Sequence, residues 1–169
     1  ELVTGMKVKS VLADLNTLYK DNSMDVDANI LIQFSTNMKG TIRSSQIATG
    51  EENNLRISVY GEKGGLKWEQ ENPNYLYHLK DDAPLQVLKS GHGYNNEISL
   101  DGTKLPPGHP EGIFDSMGNI YKGVARAIRQ ESFAPVEFPS IEDGVRGMDF
   151  IEKTVESNSK GNVWVELNN

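Results

Sequence analysis

Four residues in a glycine-rich stretch are the first candidates for chemistry. His109, Pro110, Glu111 and Gly112 stand at the centre of "LPPGHPEGIFDSMGNIYKG". Proline at the first helical position and a carboxylate in the first turn both favour a helix start, so Pro110 and Glu111 predict one here. His109 is not needed for that purpose, because Ser, Asp or Asn would cap the helix better. A neutral imidazole donates and accepts hydrogen bonds, which suits a polyol hydroxyl, and these residues alone leave both interpretations of His109 open.

Two further stretches contain polar or aromatic residues that need an interpretation. Arg56 follows Asn53 and Asn54 at the entrance of a predicted strand, where the simpler interpretation is a turn followed by an outward-facing arginine. Tyr94 and the glycine-flanked His92 lie in "SGHGYNNEISLDGTKLPPG", an irregular stretch that is long for a connection. Loops of this length often carry function, and the glycine-flanked His92 could reach a ligand from it, although such a histidine is weak evidence by itself.

The composition argues against several classes of function. The chain of 169 residues has no cysteine, and its three histidines are not spaced as metal ligands, so we predict no metal site. A formal net charge of −7, without a cluster of Lys and Arg, argues against nucleic acid binding. The apolar runs are too short for a membrane span. The sequence lacks GxGxxG and GxSxG motifs and any paired-carboxylate signature, so no catalytic residue is assigned within it.

The first half of the chain has the pattern of successive strands. Apolar and polar residues alternate from Ala28 to Ser35, which is the period of two of a half-buried strand. The alternation continues over residues 41–48 and 55–60, and short loops rich in Gly and Asn separate these runs. Such loops predict hairpins and therefore an antiparallel arrangement.

Two helices are predicted in the second half. Each has an apolar stripe at helical spacing. The stripes contain Ile113, Met117, Ile120, Tyr121, Val124 and Ile128, and then Ile141, Val145, Met148, Ile151 and Val155. The predicted fold class is α+β, with an open, mainly antiparallel β-sheet and helices packed on one face. The apolar strand face expected beneath the helices comprises Ile30, Ile32, Phe34, Ile57 and Val59.

The opposite face of the predicted sheet is polar but poor in Lys and Glu. It comprises Asn29, Leu31, Gln33, Ser35, Arg43, Ser45, Arg56, Ser58 and Tyr60. A face left in water usually carries more charge, so we expect this one to be covered by a twin subunit, another domain or a polar ligand. An ordinary solvated face is the alternative.

Several segments together resemble the C-terminal domain of the Gfo/Idh/MocA oxidoreductases, the relatives of glucose–fructose oxidoreductase and inositol 2-dehydrogenase. They are "ADLNT", "ATGEENNLRISVYGEKGGLKWEQENPNYL", "HPEG" with its following helix, and "NVWVEL". The resemblance implies a two-domain enzyme in which a Rossmann domain binds NAD or NADP. It further implies that this sheet domain forms part of the sugar pocket and usually the oligomer interface. It favours His109, and then Arg56 and Tyr94, as substrate-binding residues.

The family's dinucleotide loop, its Glu-Lys-Pro segment and its Asp-x-x-x-His motif have no counterpart in this sequence. The first residues, "ELVTG", have the pattern of a last helical turn closed by glycine. We therefore expect residues 1–169 to form a single C-terminal domain whose Rossmann domain lies upstream of Glu1. The catalytic residues are expected there as well, and no cofactor is expected in this fragment.

Two functional hypotheses follow. In the first, the chain is the substrate-binding and oligomerisation domain of a cytoplasmic NAD(P)-dependent oxidoreductase that acts on a sugar or cyclitol hydroxyl. Its partners would be its own Rossmann domain, a sugar-like substrate and a twin subunit at the polar sheet face, and the fragment alone would be inactive. In the second, the chain is a non-catalytic module that dimerises through that face.

Overall fold

The computed structural model describes residues 1–18, 21, 23–131 and 137–168. The strands are β1 (Val8–Asn16), β2 (Asp27–Phe34), β3 (Lys39–Ser45), β4 (Arg56–Gly61), β5 (Gly64–Glu69), β6 (Tyr75–Lys80), β7 (Ala83–Lys89) and β8 (Val165–Glu166). The helices are α1 (Glu97–Gly102), α2 (Ile113–Ile128) and α3 (Ile141–Ser159). The chain divides into two compact units. Unit 1 comprises Glu1–Gly50 with Pro139–Asn169, and unit 2 comprises Glu51–Phe138.

Unit 1 is a four-stranded antiparallel sheet with one helix. The strand order is β3-β2-β1-β8. Alternate residues of β1 and β2 point to one face, where they form the apolar core with Leu167. The buried members of this core are Val8, Val11, Ala13, Ala28, Ile30, Ile32 and Leu167. The period-two prediction for Ala28 to Phe34 is thus confirmed.

Helix α3 contacts this sheet through a face that the hydrophobic pattern does not mark. Phe150 packs against the core, and Thr154 and Ser157 are buried at helical spacing from it. The predicted stripe residues are all more than half exposed, from Val155 at 51% to Ile141 at 79%. The expectation that this stripe would cover the strands is therefore wrong. The face of α3 that contacts the sheet contains the polar residues Thr154 and Ser157 instead.

Ser157 and Asn158 supply hydrogen bonds that a neighbouring strand would otherwise supply. The N–H of Ala13 donates to Ser157 Oγ at 2.9 Å, and the N–H of Leu15 donates to Asn158 Oδ1 at 2.9 Å. Ser157 Oγ in turn donates to the carbonyl of Val163 at 2.6 Å. Because β8 pairs with β1 at Ser10 and Val11 alone, these side chains continue the pairing along β1 where β8 stops.

Unit 2 contains the second antiparallel sheet, in the order β4-β5-β6-β7, together with α1 and α2. Among its described residues only Gly65 and Gly123 are buried. Ile57 is 44% exposed and belongs to this sheet, so the expectation that it shares one covered face with Ile30 is wrong. The α+β class is confirmed, with two antiparallel sheets instead of one.

The helices of unit 2 differ from expectation in two ways. The stretch predicted to be irregular contains α1, whose N-cap Asn96 accepts from the N–H of Ser99 at 2.9 Å. Helix α2 begins at Ile113, three residues after Pro110, and its apolar stripe lies at the surface. Its N-cap is Gly112, whose N–H donates to the Asp115 carboxylate at 2.8 Å. In the part of the chain described here, no helix is both long and apolar enough to cross a membrane.

Candidate functional site

The loop that follows β7 is held by the polar groups of its own residues. The N–H of Lys89 donates to the Tyr94 hydroxyl at 2.9 Å, and the carbonyl of Lys89 accepts from Asn95 Nδ2 at 2.9 Å. The N–H of Asn95 donates to the carbonyl of His92 at 2.9 Å. Tyr94 and the end of β7 thus form a closed turn, on which the rings of His92 and Tyr94 stack with centroids 5.2 Å apart.

Asn74, at the entrance of β6, joins this loop to the "HPEG" segment. Its side-chain amide pairs with the backbone of Glu111 in both directions: Nδ2 donates to the carbonyl at 2.9 Å, and Oδ1 accepts from the N–H at 3.0 Å. Asn74 Oδ1 also accepts from Ser90 Oγ at 3.1 Å, and the N–H of Ser90 donates to the carbonyl of Asn74 at 3.1 Å. Asn74 therefore connects Ser90, which follows β7, to Glu111 of the "HPEG" segment.

Glu111 has a different role from the one predicted. Its carboxylate accepts hydrogen bonds from the backbone N–H groups of Lys104 and Leu105, so it ties the segment back onto the loop that follows α1. The prediction that Pro110 and Glu111 form the first turn of the helix is wrong, because Asp115 takes the acidic position in the first turn of α2. The tetrapeptide instead forms a short connection fixed at Glu111.

His109 lies at the exposed tip of this connection. Its N–H donates to the carbonyl of Pro106 at 3.1 Å, and its Nδ1 lies 3.2 Å from the same carbonyl oxygen. A carbonyl oxygen can only accept, so this contact places a proton on Nδ1, as in the Nδ1–H tautomer of the imidazole. In that tautomer Nε2 offers a lone pair to a donor such as a substrate hydroxyl. His109 therefore has the hydrogen-bonding capacity that its predicted role requires.

Arg56 is engaged elsewhere. Its guanidinium forms an ion pair with Glu51, with Nη2 and Oε2 3.0 Å apart, and its Nε also donates to Asn54 Oδ1. Among the described residues no hydrogen bond joins Arg56 to His109 or Tyr94. Of the three predicted binding residues, His109 and Tyr94 lie on segments that Asn74 connects, whereas Arg56 belongs to a separate polar cluster at the start of β4.

Asp101 links α1 to α2 by ion pairs. Its carboxylate lies 3.0 Å from Arg126 Nη1 and 2.7 Å from Lys122 Nζ. Hydrogen bonds from Arg126 and then from Lys122 lower the pKa of the Asp101 carboxyl to about 2. Arg126 also pairs with Glu137 at 3.0 Å. These charges hold the loop after α1, on which the Glu111 contacts depend.

The face predicted to be polar divides between the two units. In unit 1, Asn29 is paired with Arg43 and Leu31 with Thr41 across β2 and β3, and all four are exposed. Arg56, Ser58 and Tyr60 belong to β4 in unit 2, where they are exposed as well. Within unit 1 the face therefore combines amide, hydroxyl and guanidinium groups with an exposed leucine.

The sequence and the structure match known proteins. Residues 1–67 match the family model described as GFO/IDH/MocA C-terminal domain. An oxidoreductase from Sinorhizobium meliloti, known from its crystal structure, is 35% identical; the match covers 96% of this chain and 47% of that chain, with a TM-score of 0.92. The chain is therefore similar to a C-terminal domain of the Gfo/Idh/MocA type. An inositol dehydrogenase homolog from Azotobacter vinelandii, crystallised with NADH and myo-inositol, is 26% identical, with a TM-score of 0.81 over 96% of this chain and 45% of that one.

A curated relative agrees with this assignment. The uncharacterized oxidoreductase YfiI of Bacillus subtilis (strain 168) is 29% identical over 173 residues, which is 98% of this chain and 44% of that protein. The chain thus spans about half the length of the relatives that it matches. Both sheets of the chain are antiparallel, and the described residues contain no strand–glycine loop–helix unit that could bind a dinucleotide. They also contain no group of three or more His, Asp or Glu that could hold a metal ion.

Sequence reasoning missed Asn74 and the function of Glu111. Asn74 belongs to "NPN", which has the ordinary composition of a turn, and its partner Glu111 is 37 positions away. No local pattern reports such a contact. A usable signal was that the turn contains two asparagines, since an asparagine amide can pair with a backbone amide in both directions.

Proposed function

We propose that this chain is the substrate-binding and oligomerisation domain of an NAD(P)-dependent oxidoreductase that acts on a sugar or cyclitol hydroxyl. One observation carries the proposal, namely the likeness over 96% of the chain to an inositol dehydrogenase homolog crystallised with NADH and myo-inositol. The relatives are about twice as long as this chain, which supports a second domain in the whole protein for the nicotinamide cofactor. The base that removes the hydroxyl proton would also lie there.

His109 is the first binding residue in this proposal. Its Nδ1 faces the carbonyl of Pro106, so Nε2 accepts a hydrogen bond from one substrate hydroxyl. Glu111 and Asn74 hold the segment in place, which limits the entropy that His109 would lose on binding. Tyr94 lies on the neighbouring loop. Arg56, already paired with Glu51, would contribute only if a substrate displaced that carboxylate.

The test uses the whole gene product, assayed by reduction of NAD and of NADP with myo-inositol and a panel of sugars. We expect turnover with at least one cyclic polyol. His109→Ala should raise the KM for that substrate roughly tenfold, the effect of about 1.4 kcal/mol, and leave the KM for the nicotinamide unchanged. His78→Ala is the matched control, because His78 lies in β6 and contacts Gln86. Unchanged KM and kcat in His109→Ala would refute the binding role.

The same proposal predicts that the 169-residue chain is inactive on its own. Because the cofactor and the base are assigned to the second domain, the chain alone should show no nicotinamide turnover. Turnover by the purified chain itself would place catalytic groups within it and contradict this division of roles.

Oligomerisation is assigned to the exposed face of β2 and β3. We expect the chain to dimerise there, with Leu31 and Thr41 at the centre and the paired Asn29 and Arg43 beside them. Leu31→Glu should convert a dimer to a monomer in light scattering, because it places like charges opposite each other at a two-fold interface. Leu85→Glu, in β7 of unit 2, is the control at another exposed leucine. A monomer at high concentration in the unmodified chain would count against this assignment.

The same face supports the alternative of a non-catalytic dimerisation module. That alternative requires a dimer and no redox activity in the whole gene product. Nicotinamide turnover with a cyclic polyol would exclude it.

A further inference from the structure

Tyr94 is exposed although its hydroxyl is hydrogen-bonded to the backbone. The hydroxyl accepts from the N–H of Lys89 at 2.9 Å and lies 3.4 Å from the carbonyl of the same residue. It is therefore engaged with the backbone on both its donor and its acceptor side. Tyr94 is nevertheless 59% exposed as a residue. An aromatic ring whose polar end is fixed and whose body remains exposed is suited to contact through its face.

His92 supports this ring by stacking against one of its faces, so the opposite face of Tyr94 is the one available to a ligand. Its ring plane is inclined by 6° to that of Tyr94, with the centroids 5.2 Å apart. The backbone between them is fixed, because the N–H of Asn95 donates to the carbonyl of His92 and Asn95 Nδ2 donates to the carbonyl of Lys89. Gly91, at φ +77°, starts this turn, and a Cβ there would lie 3.3 Å from the Thr103 side chain. The rings are thus positioned by a turn that is already closed.

We propose that Tyr94 and His92 form an aromatic platform that binds the C–H face of a cyclic polyol. The inference deepens the proposed function and rests on it. Six-membered sugars and cyclitols with mainly equatorial hydroxyls present axial C–H groups above and below the ring. These hydrogens carry partial positive charge and fit the negative face of an aromatic ring. Open-chain polyols expose no such flat face, so the platform selects cyclic substrates over linear ones of the same hydroxyl content.

The platform and His109 serve different parts of one substrate. The platform contacts carbon-bound hydrogens, whereas Nε2 of His109 accepts from a hydroxyl. Asn74 ties the two segments, because it binds both Ser90 and Glu111. Loss of the platform therefore lowers affinity for cyclic polyols as a class, and loss of His109 removes one hydroxyl contact.

The experiment compares Tyr94→Phe, Tyr94→Leu and His92→Ala in the whole gene product, with myo-inositol and D-sorbitol as probes. Tyr94→Phe keeps the ring and loses the backbone hydrogen bonds, and we expect it to keep the KM for myo-inositol within about twofold. Tyr94→Leu should raise that KM roughly five- to tenfold, and His92→Ala roughly twofold to fivefold, without altering the KM for the nicotinamide. The ratio of the affinity for myo-inositol to the affinity for sorbitol should fall in Tyr94→Leu and in His92→Ala.

Other results would overturn the platform. If Tyr94→Phe were as damaging as Tyr94→Leu, the hydroxyl would matter through loop closure and not through the ring. Saturation-transfer NMR with myo-inositol measures binding without turnover, and it separates the two proposals. In one outcome the gene product has no redox activity but transfers saturation to the axial hydrogens, and His92→Ala and Tyr94→Leu abolish this transfer. That outcome would refute the proposed function and retain the platform. Transfer that is absent, or unchanged in both variants, would refute the platform.

Discussion

The two units of the molecule are built on different principles although both contain a four-stranded antiparallel sheet. In unit 1 the inward residues of β1 and β2 form a buried apolar core, and Ile30 is 7% exposed. In unit 2 the described residues that are buried are two glycines, and the segments are joined by side-chain amides, carboxylates and ion pairs. The contrast predicts that burial in unit 1 contributes more to the free energy of unfolding than burial in unit 2.

The largest expected effect tests where the stability resides. Ile30→Ala removes most of a buried side chain from unit 1 and should lower the free energy of unfolding by about 3 kcal/mol. Ile57→Ala is the matched change in unit 2, and because Ile57 is 44% exposed it should cost about 1 kcal/mol or less. Urea denaturation followed by circular dichroism measures both. Equal losses would mean that the two sheets contribute alike.

The next effect concerns the contact between α3 and β1. Ser157→Ala leaves the N–H of Ala13 and the carbonyl of Val163 without their partner in a buried position, so we expect a loss of about 2 kcal/mol. Ser159→Ala is the control, since its hydroxyl is exposed and donates to the carbonyl of Glu156. The control should stay within about 0.5 kcal/mol of the unmodified chain. A neutral Ser157→Ala would show that water replaces the hydroxyl.

These results bear on how much the sequence could predict. The alternation from Ala28 to Phe34 identified a strand and its buried face correctly, because burial of one sheet face imposes a period of two. The pattern of α3 identified a helix but not its contact face, because Thr154 and Ser157 face the sheet where apolar residues were expected. Ser157 is buried because it bonds to the backbone of β1, and a count of apolar residues cannot detect that reason.

The binding roles of His109 and Tyr94 stay predictions. His109 was singled out by its chemistry and Tyr94 by the family resemblance, and the structure places both on segments that Asn74 connects. The role of Glu111 could not be predicted, because its contacts with Lys104 and Leu105 depend on how the intervening loop folds back. Local propensity fits Pro110 and Glu111 to a helix start as well as to the connection that the structure shows. Long-range hydrogen bonds decided between these interpretations.

A smaller effect sharpens the description of unit 2. Asn74→Ala removes the hydrogen bonds to Glu111 and Ser90, yet the site is only partly buried, so we expect a loss of about 1 kcal/mol in global stability. Its main consequence should be local, as faster hydrogen exchange at the N–H groups of Glu111, Lys104 and Leu105. Asn72→Ala, in the same turn, is the control. Exchange that is unchanged in Asn74→Ala would show that Asn74 does not hold the segment.

The smallest effect is expected from acid titration of the link between α1 and α2. The pKa of Asp101 is about 2, held down by Arg126 and then Lys122. A carboxyl whose pKa falls on folding stabilises the fold at pH values above its unfolded pKa of about 3.9. That contribution is lost as the pH falls towards 2. The carboxyl chemical shift of Asp101 should titrate in this range. Asp101→Asn should remove that part of the pH dependence of stability. The control Asp82→Asn, in an exposed hairpin, should not. A normal pKa at Asp101 would contradict the ion pairs.

The bonds from Ser157 and Asn158 to β1 also have a consequence for biosynthesis. Ala13 and Ser157 are 144 residues apart, so unit 2 is inserted between the two parts of unit 1 in the sequence. The ribosome adds roughly 5–20 residues per second, so β1 waits on the order of ten seconds or more for the helix that completes its edge. During that interval its backbone N–H groups at Ala13 and Leu15 can pair with strands of other nascent chains. Slower translation of residues 51–138 would lengthen this exposure, and chaperone demand should rise with it.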